Sequence, residues 1–484
     1  MKKYFAIVEG ILSENRRDLQ IYSAYLFLSF CMFFYYSYFN PLYYISGSDM
    51  QYYLSVSDSV FNGYGFRDIT TDPAGPIITP QNGVVFLHLA IMNLGITDPE
   101  QRFLFLMAIN YAALLASLIV IYRIFLFFRM TPSIVAPVLG VILFSNIIFK
   151  TLIQPINDGL FFLLSLLLIW LILVNHRKKQ IKKVLMILII SIVITHFRNQ
   201  GFLILFCAVL AYGILKDYKW MFFYLTSCCL SYLSVHLFYM LLLNDFSGMK
   251  NIITSFANGF DVQLSILITI CYMLPQLFLG ISQYEYLWCI FPFSIALLLF
   301  LFVSFLKSLK EKEFAKLFLI FYIFATILFN MLLAQAFRYL IPIFPFVILF
   351  LAISYHNSKV FKKALPLYLL YVLCLSVVKV SYFDLYYLQN KNSSRNLLTH
   401  LPKEAVLLSS SPRYSYFYLR KRTCVNCGNF STYREVLIYG DQLFINEEIT
   451  RIEKLTPVKG KSIYEASWRL DRTSEESKLA HLKL

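Results

Sequence analysis

The chain has 484 residues, 59% of them hydrophobic and only 14% charged, with 43 Lys and Arg against 27 Asp and Glu for a formal net charge of +16. That charged share, with a mean hydropathy of +0.64, excludes an ordinary soluble domain, whose apolar share is nearer half. The basic excess does not point to nucleic acid, because most cations fall in short clusters between apolar runs, the positive-inside pattern of a polytopic membrane protein.

The N-terminus, MKKYFAIVEGILSENRRDLQ, is too polar for a cleaved signal peptide and carries Lys2, Lys3, Arg16 and Arg17. The first span is therefore expected to be an uncleaved anchor with a cytoplasmic N-terminus. Apolar stretches long enough to span, or nearly so, fall at 21–40, 103–128, 132–149, 156–174, 183–197, 200–215, 219–243, 286–306, 314–334, 337–354 and 362–382. One more, 264–282, contains Pro275 and reads as broken, re-entrant or interfacial. Left out of the count, it puts Lys307, Lys310, Lys312 and Lys316 on the cytoplasmic side with the cations at 177–183 and 359–363. The expectation is about eleven helical spans and an outer C-terminus. Residues 1–382 then form a transmembrane domain with a first outer loop at 41–102. The tail, 383–484, alternates charges with β-branched and aromatic runs and reads as a small soluble α/β or α+β domain.

The first outer loop holds Asp49, Asp58, Asp68, Asp72, Asp98 and Glu100 beside the bilayer. From Met50 to Phe61 apolar and aromatic residues recur at helical spacing, predicting an interfacial helix ended by Gly63 and Gly65. Nine residues separate Asp49 from Asp58, about 180° on a helical wheel, so a regular helix keeps them out of one site. Asp49, close to the end of the first span, is the first candidate acid, although helix capping would also account for it.

Asp158 follows Pro155 and Asn157 at the outer end of the fourth span, where a carboxylate can cap the helix. Alternatively Asp49 and Asp158 supply oxygens to a sugar or to Mg²⁺ or Mn²⁺. The polar break ITHFRNQGF brings His196, Arg198, Asn199 and Gln200 to the outer face, and AQAFRYLIPIFPF brings Arg338 and Tyr339. A short hairpin or a snorkelling arginine explains such residues. A guanidinium placed to hold a phosphate is the alternative. Cys424 and Cys427 have CxxC spacing with no second pair, so a disulfide fits an oxidising outer compartment better than zinc does. His88 and His236 sit in apolar runs as packing residues. There is no GxxxxGK[ST] loop and no GxSxG elbow.

Four pieces in order resemble the GT-C class of membrane glycosyltransferases, the group that includes protein O-mannosyltransferases and the lipid A aminoarabinose transferase. They are DMQYYLSVSDSVFNGYGF, NDGLFFLLSLLLI, THFRNQGFLIL and RYLIPIFPFVILFLA; LTHLPKEAVLLSSSPRYSYFYLRKR is similar to the start of the small outer domain of many members. The resemblance implies a polyprenyl-phosphate sugar donor and inverting transfer, on the outer face of a bacterial inner membrane, to a lipid, glycan or protein acceptor. It implies Asp49 as the base or metal-linked acid, Asp158 as the second acid, and Arg338, with Tyr339, at the donor phosphate. Arg198 and His196 carry over less directly, because many relatives have an acid where this chain has Asn199 and Gln200. A flippase or transporter of lipid-linked glycan is the rival reading, but it predicts paired broken helices near the midplane rather than acids at the outer rim. A glycan polymerase or ligase is the other rival, and it would place its main functional loop late in the chain.

Overall fold

The computed structural model describes residues 16–39, 48–63, 65–68, 75–76, 83–178, 180–198, 200–243, 273–279, 287–331, 337–355, 357–378, 406–409, 423–424, 435–440, 442–455, 460–469 and 476–483. Each apolar run singled out as a span coincides with a helix or a bent pair of helices. They are α1 (Arg16–Phe39), α4 (Pro99–Phe127), α5 (Pro132–Phe144) with α6 (Asn146–Ile153), α7 (Asp158–Lys178), α8 (Ile181–Phe197) and α9 (Gly201–Ile214). They continue with α10 (Tyr218–Leu243), α12 (Leu287–Glu311), α13 (Phe314–Phe329), α14 (Phe344–Tyr355) and α15 (Lys359–Val378). Between them lie α2 (Ser48–Phe61), α3 (Gly83–Asn93) and α11 (Leu274–Leu279).

Among the described residues four helices are long and apolar enough to cross a membrane alone, namely those over Gln101–Phe127, Asp158–Arg177, Pro292–Glu311 and Lys359–Val378. The α5–α6 pair, bent by 64°, makes a fifth if taken as one span. Helices such as α9, with 14 residues, rise only about 21 Å, short of a hydrocarbon core of about 30 Å. In 264–282 the described part is 273–279, where helix α11 has six residues.

Local chemistry explains several of these boundaries. The Asp98 carboxylate accepts from the Gln101 amide at 3.2 Å, and Pro99 occupies the first helical position, so α4 starts with a side-chain cap and a residue that needs no amide partner. Between α5 and α6 the chain breaks at Ser145, which adopts an extended conformation (φ −64°, ψ 109°). Ser376 of α15 repairs that break: its hydroxyl donates to the Phe144 carbonyl and accepts from the Asn146 amide at 3.1 Å. Such repair is what irregular backbone needs inside a bilayer.

The chain divides into two compact units. The first comprises Met1–Phe34, Pro80–Gly83 and Ala108–Val380. Its centre is α9, which packs on α7, α8, α10 and α13 and buries Leu203, Ile204, Leu205, Cys207, Ala208, Ala211 and Tyr212. The second unit comprises Tyr35–Thr79, Val84–Met107 and Ser381–Leu484. It contains α2, α3, a two-stranded pairing of β1 (Arg67–Asp68) with β2 (Gly75–Pro76), and a five-stranded sheet. The sheet's order is β4 (Thr423–Cys424), β3 (Val406–Ser409), β5 (Glu435–Gly440), β7 (Glu476–Lys483), β6 (Gly460–Arg469). β3 runs parallel to β4 and β5, and β7 runs antiparallel to β5 and β6. Helix α16 (Gln442–Leu455) packs on β5 and β7 and buries Ile445, Ile449 and Ile452, one stripe at helical spacing. Successive strand residues Leu437 and Ile438 are both fully buried, so both faces of the sheet are covered. The described strands and helix of the tail fall in the same compact unit as 35–79.

Candidate active site

The residues NDG open α7 and carry the site of the first unit. Asn110 of α4 donates to the Gln154 carbonyl and, at 2.8 Å, to the Ile156 carbonyl, tying down the turn between α6 and α7. Gly159 is needed because a Cβ there would lie 2.3 Å from the Leu152 carbonyl oxygen and 2.9 Å from Asn110. With that turn pressed against α4, Asn157 reaches the end of α8. Its amide donates to the Phe197 carbonyl, and its Oδ1 accepts from Arg198 Nε at 3.3 Å and Nη2 at 3.2 Å.

Arg198 stands just past α8 in extended backbone (φ −156°, ψ 136°). Its guanidinium forms an ion pair with Asp158, and both side chains are buried, at 1% and 3% exposure. The carboxylate belongs to the first turn of α7, where the helix dipole also favours a negative charge. Arg198 Cζ lies 4.6 Å from the centroid of Tyr339 and 5.5 Å from that of Phe161. Tyr339 closes a 3-10 turn at Phe337–Tyr339, and Arg338 Cζ is 5.5 Å from the same ring. Two guanidiniums thus lie within cation–π range of one aromatic ring, one of them buried and paired with Asp158.

The structure thus brings together Asp158, Arg198, Arg338 and Tyr339, four residues singled out from sequence. His196 sits half-buried in the last turn of α8. Asp49 lies in the first turn of α2, in the other unit, and its side chain lies outside the described residues. Cys424 is in β4, while Cys427, and with it the expected disulfide, lies outside the described residues. Asn157 and Phe161 were not foreseen as site residues. The only sequence signal for Asn157 was its place beside the acid.

As a ligand for Mg²⁺ or Mn²⁺, Asp158 fits poorly. Its charge is already compensated by a buried guanidinium, which a cation would have to displace and which would repel it. Among the described residues no three His, Cys, Asp or Glu side chains gather as a metal site.

The second unit holds another buried charge pair. Asp58 of α2 meets Arg102, at the start of α4, at 2.7 Å. Burial raises the Asp58 pKa above the usual carboxylate range, with Arg102 pulling it partly back.

No protein-family description and no curated protein matches the chain by sequence. By fold it is similar to GT-C membrane glycosyltransferases, and it has the helical architecture of an integral membrane protein. The solved structure of ArnT from Cupriavidus metallidurans bound to undecaprenyl phosphate is similar over 93% of this chain and 97% of that one, at 10% identity and a TM-score of 0.56. Its apo state aligns over 91% and 95%, at 10% identity and a TM-score of 0.54. An Archaeoglobus fulgidus oligosaccharyltransferase tethered to an acceptor peptide aligns over 86% of this chain and 64% of that one, at 11% identity and a TM-score of 0.48.

Proposed function

We propose that the chain is a glycosyltransferase that takes a sugar from a polyprenyl-phosphate donor and passes it, with inversion, to an acceptor at the outer face of a bacterial inner membrane. The observation that carries this reading is the fold likeness to ArnT, which extends over nearly the full length of both chains. Arg338, beside Tyr339, adds a chemical reason, since a guanidinium can hold a lipid phosphate.

The chemistry asks little of the protein. A lipid phosphate is a good leaving group, so transfer needs a base for the acceptor hydroxyl and positive charge on the departing phosphate. In this reading Asp49 takes the proton of the acceptor hydroxyl as the acceptor oxygen bonds to the anomeric carbon, and the bond from that carbon to the phosphate oxygen breaks. Arg338 takes the charge of the released polyprenyl phosphate. Asp158 acts through Arg198, which it holds against Tyr339.

The test is transfer of radiolabelled sugar from a panel of polyprenyl-phosphate sugars by purified protein, with membrane lipid extract as acceptor source and donor hydrolysis followed in parallel. Wild type should consume at least one donor, while Asp49→Asn and Arg338→Ala should lose turnover by at least the roughly 10² typical of a general base or a charge-stabilising group. An Asp49→Asn protein that is folded and fully active refutes the assignment of the base. EDTA in the same assay reports on metal use. Binding of polyprenyl phosphate without donor consumption moves the flippase reading ahead.

A further inference from the structure

In the second unit α2, α3 and the start of α4 meet at one charged side chain. Arg102, 1% exposed, donates from Nη1 to Asp58 Oδ1 of α2 at 2.7 Å and to Met92 Sδ of α3 at 3.0 Å. His88, one turn before Met92, is fully buried, with its ring edge-on to Phe103 of α4 at 6.3 Å between centroids. Burial first, and the Arg102 charge second, hold His88 well below its ordinary pKa and therefore neutral. Asp58, at 14% side-chain exposure, is thus the counter-ion of a buried guanidinium.

Such a pair is a costly way to glue helices. An apolar pair of similar volume would usually hold them as firmly or better. What the ion pair adds is direction, because Arg102 Nη1 must meet Asp58 Oδ1 and Met92 Sδ at once, whereas apolar contacts tolerate sliding. The helix it grips is stiff. α2 runs unbroken from Ser48 to Phe61, and its end is closed by Gly63 at φ 81° and by the Asn62 side chain on the Asp58 carbonyl at 2.7 Å. Asp49 lies nine residues before Asp58, about 13 Å along the same rod.

We infer that the Asp58–Arg102 ion pair is a positioning clamp, fixing the height and rotation at which α2 presents residue 49 to the reaction. The inference rests on the glycosyltransferase reading above. Neither Asp58 nor Arg102 need touch a substrate. A slip of about 1 Å at the clamp is carried along the helix to Asp49, and a misplacement of that size costs on the order of 10² in rate.

The test compares wild type, Arg102→Lys and the double variant Asp58→Asn/Arg102→Met, all full chain in detergent, by thermal unfolding and by kcat and KM for the consumed donor. The double variant leaves no uncompensated charge, so it should fold like wild type even where single changes do not. Its kcat should fall by about 10² with donor KM unchanged, and Arg102→Lys, which keeps the charge, should lose less. A folded double variant with wild-type kcat overturns the clamp, as does one that fails to fold, because the pair would then be structural. If wild type consumes no donor, the glycosyltransferase reading fails, and amide hydrogen exchange decides the clamp separately. Faster exchange in α2 of the double variant, with α9 unchanged, supports it; unchanged exchange in α2 overturns it.

Discussion

Replacing Asp158 by Asn removes one charge and little volume from the first unit. The Arg198 guanidinium it leaves behind is 1% exposed. It retains the neutral Asn157 oxygen at 3.2 Å and the Tyr339 ring at 4.6 Å in place of the carboxylate. Breaking a buried pair in this way costs about 3–5 kcal/mol. That shifts the folding equilibrium by roughly two to nearly four orders of magnitude. Thermal unfolding of purified protein in detergent should show a clear fall for Asp158→Asn and recovery of most of it in Asp158→Asn/Arg198→Met, which removes the stranded cation. An Asp158→Asn protein that unfolds at the wild-type temperature would show that the pair compensates nothing. A double variant less stable than the single, together with EDTA lowering the wild-type unfolding temperature, would instead indicate that Asp158 serves a metal.

Gly159→Ala drives a Cβ to 2.3 Å from the Leu152 carbonyl oxygen, backbone that cannot swing aside, and should cost about 1–3 kcal/mol or more in the same unfolding measurement. Ser376→Ala strips the Phe144 carbonyl and the Asn146 amide of their shared partner at the α5–α6 break, for a loss of about 1–3 kcal/mol. The raised pKa of Asp58 means that its ionised form is disfavoured by folding. Its contribution is fully present below the unfolded value of about 3.9 and is lost as pH rises through the higher folded value. An unfolding temperature followed from about pH 4 to pH 7 should therefore decline more in wild type than in Asp58→Asn, and equal slopes would refute that sign.

The apolar runs were enough to place the helices, because burial in lipid or in a bundle selects the same residues. The Asp98-Pro99 start of α4 was also legible as chemistry local to a helix end. The bend in 132–149 was not, since no glycine or proline marks Ser145 and what sustains the break is a serine on another helix. The site was half legible. Asp158, Arg198, Arg338 and Tyr339 stood out as polar interruptions of apolar sequence, but spacing says nothing of the pairing of Asp158 with Arg198 or of the ring they share. Arg102 escaped notice as a functional residue although it opens an apolar span. Its partner lies 44 positions earlier, and only the fold joins them.

The repair of the α5–α6 break also sets an order of events during synthesis. The Asn146 amide waits for a hydroxyl 230 residues downstream. At about 5–20 residues per second, that gap lasts roughly ten to fifty seconds. For that interval the nascent membrane bundle carries an open backbone joint that neither α5 nor α6 can close. Only when α15 arrives is the joint sealed, so one of the first helices to be made is among the last to be finished.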